Sequence, residues 1–280
     1  MALEFSSMIK MEPSTLMIVD ALNLAFRYKH SGEKNFLDSY LRTVDSLKKS
    51  YKASKVIIAC DSGSSAYRKS IYPDYKQNRK DKYDLQTPEE AEAFEAFFTE
   101  FNKVMDMYRE VDDYPLFRFD KCEADDIAAY IVNKRRNKNK IWLISSDKDW
   151  DLLVGPSVSR FSYVTRKEVT QENWNDHYDW DIDDYISIKC LTGDTGDNIS
   201  GVKGIGPKKA KALVQEFGST YDIIASLPIS SRYVYINSLN EFGRDNLLRN
   251  YKLMDIISHC EEALGEENCK IIDKTLESYL

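Results

Sequence analysis

Near its start and again near its middle, the chain gathers apolar residues into short blocks that close on an aspartate. Leu16 to Val19 run into Asp20, Val56 to Cys60 into Asp61, and Ile141 to Ser146 into Asp147. Runs this short, bounded by polar residues, read as strands buried on both faces, the pattern of a parallel sheet. Between the first two, Leu37, Leu41, Val44 and Leu47 keep helical spacing and predict a helix over 36–51, so the start reads as a βαβ-like unit. Further along, the pattern predicts a short strand at 116–119, a helix over 123–137 and a strand at 159–163. Residues 62–84 are polar, basic and rich in tyrosine, and Pro73 interrupts any helix there. Thr87-Pro88-Glu89-Glu90 then reads as an N-cap, a proline at the first helical position and an acidic first turn, opening a long helix to about Tyr108. From Asp181 onward the pattern is helical with short connections.

These elements predict an α/β fold, a mostly parallel central sheet flanked by helices, with a helical insertion at about 67–108 and a second, mostly α subdomain. The expected division is a flexible tail at 1–14, a core at 15–180 and a helical subdomain at 181–280. Alternative starts at Met8 or Met11 remain open. An insertion this large within a sheet connection is a functional candidate.

If the three blocks are neighbouring parallel strands, their aspartates share the carboxyl edge of the sheet, where open α/β sheets place their sites. Each aspartate alone has an ordinary explanation as a turn or N-cap residue. The joint pattern does not, because Glu123-Ala124-Asp125-Asp126, Asp147 with Asp149, and Asp194-Thr195-Gly196-Asp197 bring more carboxylates at spacings that share a side of the chain. So many would repel one another unless cations sit among them, which points to divalent metal ions and phosphate chemistry. Two such ions can activate water and stabilise a departing oxygen without a protein nucleophile. His30, His177 and His259 lie in no motif, and no GxSxG, HExxH or P-loop pattern is present.

Charge qualifies this reading. The formal net charge of -7 argues at face value against a nucleic-acid partner. Setting aside Asp20, Asp61, Glu123, Asp125, Asp126, Asp147, Asp149, Asp194 and Asp197 as a metal-neutralised cluster leaves about +2 on the remainder. Basic residues also gather locally, at Arg68, Lys69, Lys76, Arg79, Lys80 and Lys82, across 134–140, and at Lys203, Lys208, Lys209 and Lys211. Five cysteines without CxxC spacing suggest neither a disulfide framework nor a zinc site, and Cys60, Cys122 and Cys190 read as small buried thiols. No apolar run approaches the ~18 residues of a membrane span, and the first residues lack a signal-peptide pattern, so a cytoplasmic protein is expected.

Gly201-Val202-Lys203-Gly204-Ile205-Gly206-Pro207-Lys208-Lys209-Ala210 is the second strong signal. Its glycines permit a tight turn that bares backbone N–H groups, and Pro207 suits the first turn of a helix flanked by lysines. The expectation is a helix-hairpin-helix at about 189–217 that grips a DNA backbone without reading bases, against the plainer alternative of a connector.

Taken together, Ile18-Val19-Asp20-Ala21-Leu22-Asn23, Tyr75-Lys76-Gln77-Asn78-Arg79, the Glu123 and Asp194 clusters, Ser145-Ser146-Asp147-Lys148-Asp149 and the glycine hairpin resemble the flap endonucleases and 5′ nucleases. That family includes stand-alone bacteriophage enzymes and the 5′ nuclease domain of bacterial DNA polymerase I. The length, with no polymerase attached, looks most like the bacteriophage members. The resemblance implies a PIN-like core whose nine named carboxylates hold two Mg²⁺ or Mn²⁺ ions directly or through water. It implies that the 67–108 insertion is a helical arch over a single-stranded 5′ end, with Lys76 and Arg79 catalytic at the scissile phosphate and Tyr75 stacking on a base. It places Arg27, Lys189, Lys203, Gly204, Gly206, Lys208 and Lys209 on DNA, in a helix-3-turn-helix type of subdomain that also binds a monovalent cation such as K⁺. The implied partners are branched DNA with 5′ flaps or ends and replication proteins, for a chain acting as a monomer away from membranes. Ala21 departs mildly from relatives that carry glycine there. On the residues alone, Lys76 and Arg79 suit a solvated basic loop equally well. A related single-domain ribonuclease and a junction-binding scaffold with decayed chemistry are the competing readings, and the arch, the hairpin and the full carboxylate set argue against them.

Overall fold

The computed structural model describes residues 13–111 and 114–280. The expected flexible tail therefore lies outside the described residues except at its end. There Ser14 is tied down, its carbonyl accepting from the Lys140 backbone N–H and the Asn139 side-chain amide.

Six strands form the central sheet: β1 (Thr15–Asp20), β2 (Lys55–Ala59), β3 (Leu116–Phe117), β4 (Lys140–Ile144), β5 (Val158–Ser162) and β6 (Lys167–Val169). Their order is β3-β2-β1-β4-β5-β6, parallel throughout except for β6 at one edge. Each face of β1 is buried, as an uninterrupted apolar run requires. Leu16 and Ile18 enter one core layer, while Met17 and Val19 enter the other.

The second layer is made by α1 (Ala21–Ser31), α2 (Leu37–Ser50) and the inner half of α5 (Pro88–Glu110). The first is covered by α6 (Ala124–Arg135). Between β2 and α5 lie α3 (Ala66–Ile71) and α4 (Gln77–Asp84), separated at Pro73 as expected. The capping box at Thr87 and Glu90 starts α5 where the sequence indicates. That helix has two halves: Phe97, Phe101, Val104, Met105 and Tyr108 are buried, whereas its first turns and all of α4 bury nothing. Only the outer part of the predicted 67–108 insertion therefore stands clear of the core.

The chain continues through α7 (Tyr185–Thr192), a ribbon of β7 (Gly193–Asp194) and β8 (Ile199–Ser200), α8 (Pro207–Phe217), α9 (Thr220–Ser226) and α10 (Val234–Met254). These helices share a separate core built on Leu191, Val202, Leu213, Ile223 and Leu239. The last two, α11 (Ile256–Leu264) and α12 (Glu266–Tyr279), leave it. Ile256, Cys260, Ile272 and Leu276 pack against α6 and the sheet instead. No helix among the described residues is long and apolar enough to cross a membrane.

Candidate active site

The chain steps outward from β1 through β2 to β3 and then crosses back to β4 on the other side of β1, so the strand order reverses beside β1 and a crevice opens at its carboxyl end. Asp20 ends β1 and caps α1, its Oδ1 accepting from Asn23 N (3.1 Å) and its Oδ2 from Ser145 Oγ (2.7 Å). Asp61 follows β2 and accepts from Ala124 N (2.8 Å), which fixes the start of α6 against it. On α6, Asp125 accepts from the indole N–H of buried Trp150 (2.7 Å). Past β4, Asp147 caps a 3-10 turn over Lys148–Leu153 and accepts from Asp149 N (2.9 Å). The β7–β8 ribbon delivers the last pair, with Asp194 Oδ1 accepting from Gly196 N (2.8 Å) and Asp197 N (3.2 Å).

Two glycines make that ribbon possible. A Cβ on Gly201 would sit 2.1 Å from Thr192 O, and one on Gly193, at φ +72°, would sit 2.3 Å from Gly201 N. Either approach is far inside a van der Waals distance, so only glycine lets α7 pass directly into the turn that aims Asp194 and Asp197.

The carboxylates fall into two electrostatic groups. Asp20, Asp61, Asp125 and Asp147 make no ion pair among the described residues. Burial, followed by the charge of Asp61, raises the Asp20 carboxyl well above the ordinary range, and burial followed by Asp147 and Asp61 does the same to Asp125. Burial likewise raises Asp61. Asp147 has an open side chain at the crevice mouth, yet the enclosing protein, then Asp149, push it up to about 6.

The other five are held by cations. Lys76 Nζ is 2.8 Å from Glu123 Oε1 and 3.8 Å from Asp197 Oδ2, and Arg79 is 2.6 Å from Asp197 Oδ1. Lys189 touches Asp149 and lies 3.5 Å from Asp194. Glu123 is buried, but Lys76, then Arg68, outweigh that penalty and draw its carboxyl down to about 2. Asp126 is fully buried, and both of its oxygens accept from Arg68, at 2.7 and 2.8 Å.

Three of the expected site residues are engaged by other groups of the protein. Asp126 is expected among the metal ligands; each of its oxygens accepts from Arg68, which also donates to Leu253 O (2.9 Å) and so ties α6 and α3 to the end of α10. Tyr75 was expected to stack on a base. Instead its ring is 1% exposed, packed with Cys190, Ile199 and Leu253, and its hydroxyl is 2.9 Å from both Glu123 Oε2 and Asp197 Oδ2. Lys189, expected on DNA, points inward into the carboxylates. Sequence reading also missed the positioning roles of Arg68, Trp150 and Ser145. The i, i+3 spacing of Glu123 and Asp126 signalled a shared face without revealing that a buried cation takes part of it.

The remaining expected residues are spread over neighbouring surfaces. Arg27 lies over the Tyr163 ring (4.2 Å), on the α1 side of the crevice. Lys76 is the left-handed N-cap of α4, at φ +57°, and its N–H donates to Asp197 O (3.0 Å), while Asn78 Nδ2 donates to Thr195 O (2.7 Å). The base of the insertion is thereby clamped to the Asp194–Asp197 turn. In the hairpin, Gly204 turns at φ +78°, Gly206 caps α8, and Lys203, Lys208 and Lys209 are exposed, Lys209 Nζ donating to Gly204 O (2.7 Å).

All donors in the crevice are oxygens, the chemistry of hard divalent cations. Among the described residues no three carboxylate, imidazole or thiolate groups form a ready-made cage for one ion. Donors without a cationic partner fit an ion that keeps much of its water shell, as Mg²⁺ does.

Strand order, a carboxylate crevice at the switch point and a glycine hairpin on a helical module define a resolvase-like α/β core joined to a C-terminal helical fold. The description "5'-3' exonuclease, N-terminal resolvase-like domain" matches residues 15–179, and "5'-3' exonuclease, C-terminal SAM fold" matches residues 181–276. The flap endonuclease of Escherichia phage T5 is 40% identical over 268 residues, covering 95% of this chain and 91% of that one. DNA polymerase I of Caldicellulosiruptor bescii is 30% identical over 233 residues, 79% of this chain but 25% of the polymerase. Among solved structures, a bacteriophage T5 flap endonuclease variant in a pseudo-enzyme-product complex with DNA and metal ions superposes with a TM-score of 0.90. It has 39% identity and covers 95% of this chain and 98% of that one. The chain belongs to the 5′-3′ exonuclease family, which includes the flap endonucleases.

Proposed function

We propose that the chain is a structure-selective 5′ nuclease that hydrolyses DNA phosphodiesters with two divalent ions, both trimming 5′ ends and cutting 5′ flaps at single-strand/double-strand junctions. One observation carries this reading: four carboxylates without an ion-pair partner among the described residues face a crevice whose wall carries Lys76, Arg79 and Lys189. Asp20, Asp61, Asp125 and Asp147 would hold Mg²⁺ or Mn²⁺, with Glu123, Asp149, Asp194 and Asp197 contributing directly or through water. Ions there would lower the pKa of the attacking water and stabilise the departing oxygen.

The chain's own groups do the rest. Trp150 and Ser145 aim Asp125 and Asp20, and Arg68 and Tyr75 fix the Glu123 side of the crevice. Arg79, half exposed, and Lys76 offer positive charge to a phosphate entering from the insertion side. The exposed outer part of the insertion forms the arch over the 5′ strand. Lys203, Lys208, Lys209 and the backbone at Gly204 and Gly206 grip the duplex, with a K⁺ ion at the hairpin carbonyls, and Arg27 meets the backbone across the crevice. In this reading the core is 15–180 with the helical module after it, α11 and α12 bracing the core, and a monomer acts in the bacterial cytoplasm beside replication proteins.

The test uses end-labelled flap, nicked, gapped and single-stranded DNA, with Mg²⁺ and with chelator. The expected result is Mg²⁺-dependent cleavage concentrated at junctions and 5′ ends. Absence of metal-dependent cleavage, or equal cleavage of linear single-stranded RNA, would refute the proposal.

A further inference from the structure

The split of the crevice into cation-free and cation-held carboxylates bears on how ions enter it. Lys189 is on α7, its side chain is 11% exposed, and its ammonium touches Asp149 while lying 3.5 Å from Asp194. It is thus enclosed between the carboxylates of two different elements, the 3-10 turn after β4 and the β7–β8 ribbon. Lys76 does the same between Glu123 and Asp197. An enclosed ammonium bridging two carboxylates supplies the charge a bound cation would otherwise supply. By contrast, among the described residues the hydrogen bonds to Asp20, Asp61, Asp125 and Asp147 come from neutral donors: Ser145 Oγ, the indole of Trp150, and backbone N–H groups.

We propose that Lys189 is a built-in stand-in cation that sets the order of ion loading. In the free protein it occupies Asp149 and Asp194, so one divalent ion enters beside Asp20, Asp61, Asp125 and Asp147, and a second binds well only when a DNA phosphate draws Lys189 away. This rests on the nuclease reading above and adds a rule to it: the second ion and DNA bind cooperatively, each raising the other's affinity by the same factor. Lys189 acts as a positioning residue that keeps Asp149 and Asp194 gathered until both arrive.

The experiment counts Mn²⁺ on the full chain by the electron paramagnetic resonance signal of free ion, alone and with a phosphorothioate-blocked flap DNA. Wild type is expected to take one ion tightly and the second at least tenfold more weakly, the gap closing when DNA is added. Lys189→Met should bind the second ion at least tenfold more tightly than wild type without DNA, and Lys189→Arg, which keeps the charge, should behave as wild type. Wild type binding two ions equally tightly without DNA overturns the proposal, whatever the variants do. So does a Lys189→Met protein, folded by near-ultraviolet circular dichroism, whose second-ion affinity is unchanged or lower. Wild type that binds no Mn²⁺ and cleaves nothing would instead refute the nuclease reading itself.

Discussion

Arg68 offers the sharpest test of how the crevice is held. Its guanidinium is 3% exposed and donates to both oxygens of Asp126, to Glu123 Oε2 (3.4 Å) and to Leu253 O. Substituting Arg68→Met keeps the aliphatic bulk but leaves Asp126 as a buried charge without a partner. Breaking a buried pair from one side costs about 3–5 kcal/mol. At about 2–4 °C per kcal/mol for a domain of this size, the melting temperature should fall by roughly 6–20 °C. Replacing both partners, Arg68→Met with Asp126→Met, removes the stranded charge and should recover most of the loss. Urea and thermal melts followed by circular dichroism, in chelator so that metal does not contribute, measure both effects. A single variant within about 1 kcal/mol of wild type, or a double variant no more stable than the single, would refute the assignment of Arg68 as the strut beneath the site.

Ion-free protein should be most stable on the acid side, near about pH 4–5. Glu123, drawn from 4.5 down to about 2, contributes stability that is present above its unfolded value and lost as pH falls toward 2. Asp147, raised from 3.8 to about 6, contributes below its unfolded value and loses that contribution as pH rises through 6. Asp20, Asp61 and Asp125 act in the same direction as Asp147. Chelated melts that gain stability steadily from pH 5 to 8 would contradict this. Gly201→Ala, whose Cβ meets Thr192 O, should destabilise by about 1–3 kcal/mol in urea melts, whereas Gly155→Ala, with open space around its Cβ, should not. Lys208→Ala with Lys209→Ala should weaken duplex binding and flatten its salt dependence by about 0.9 for each phosphate no longer neutralised, and an unchanged slope would remove those lysines from the interface.

Much of the fold was legible because local chemistry and tertiary packing agree along the core. Apolar runs ending at Asp20, Asp61 and Asp147 became strands β1, β2 and β4, and Thr87 with Glu90 formed the capping box its spacing indicates. The antiparallel edge β6 was missed because Lys167-Glu168-Val169 buries only Val169. Helix α1 was passed over although Ala21, Leu24, Ala25 and Tyr28 keep the helical spacing that buries them on one face. The return of α11 and α12 to the sheet rests on long-range packing that no local period encodes. At the site, the acidic residues announced themselves by clustering, but their partners did not. Arg68, Lys76 and Lys189 look in sequence like any solvated base, and only the fold turns them inward. Tyr75 looks like a stacking residue until its hydroxyl is found between Glu123 and Asp197.

The central claim, that carboxylates without a basic partner are there for metal ions and hydrolysis, is tested most directly by Asp125→Asn. The amide oxygen can still accept from Trp150, so the geometry survives while a carboxylate disfavoured by burial and then by Asp147 and Asp61 disappears. In chelator the variant should be at least as stable as wild type, and its Mg²⁺-dependent cleavage of a labelled 5′ flap should fall on the order of a hundredfold or more. A variant that cuts the flap at the wild-type rate, or that is less stable than wild type in chelator, would contradict the account.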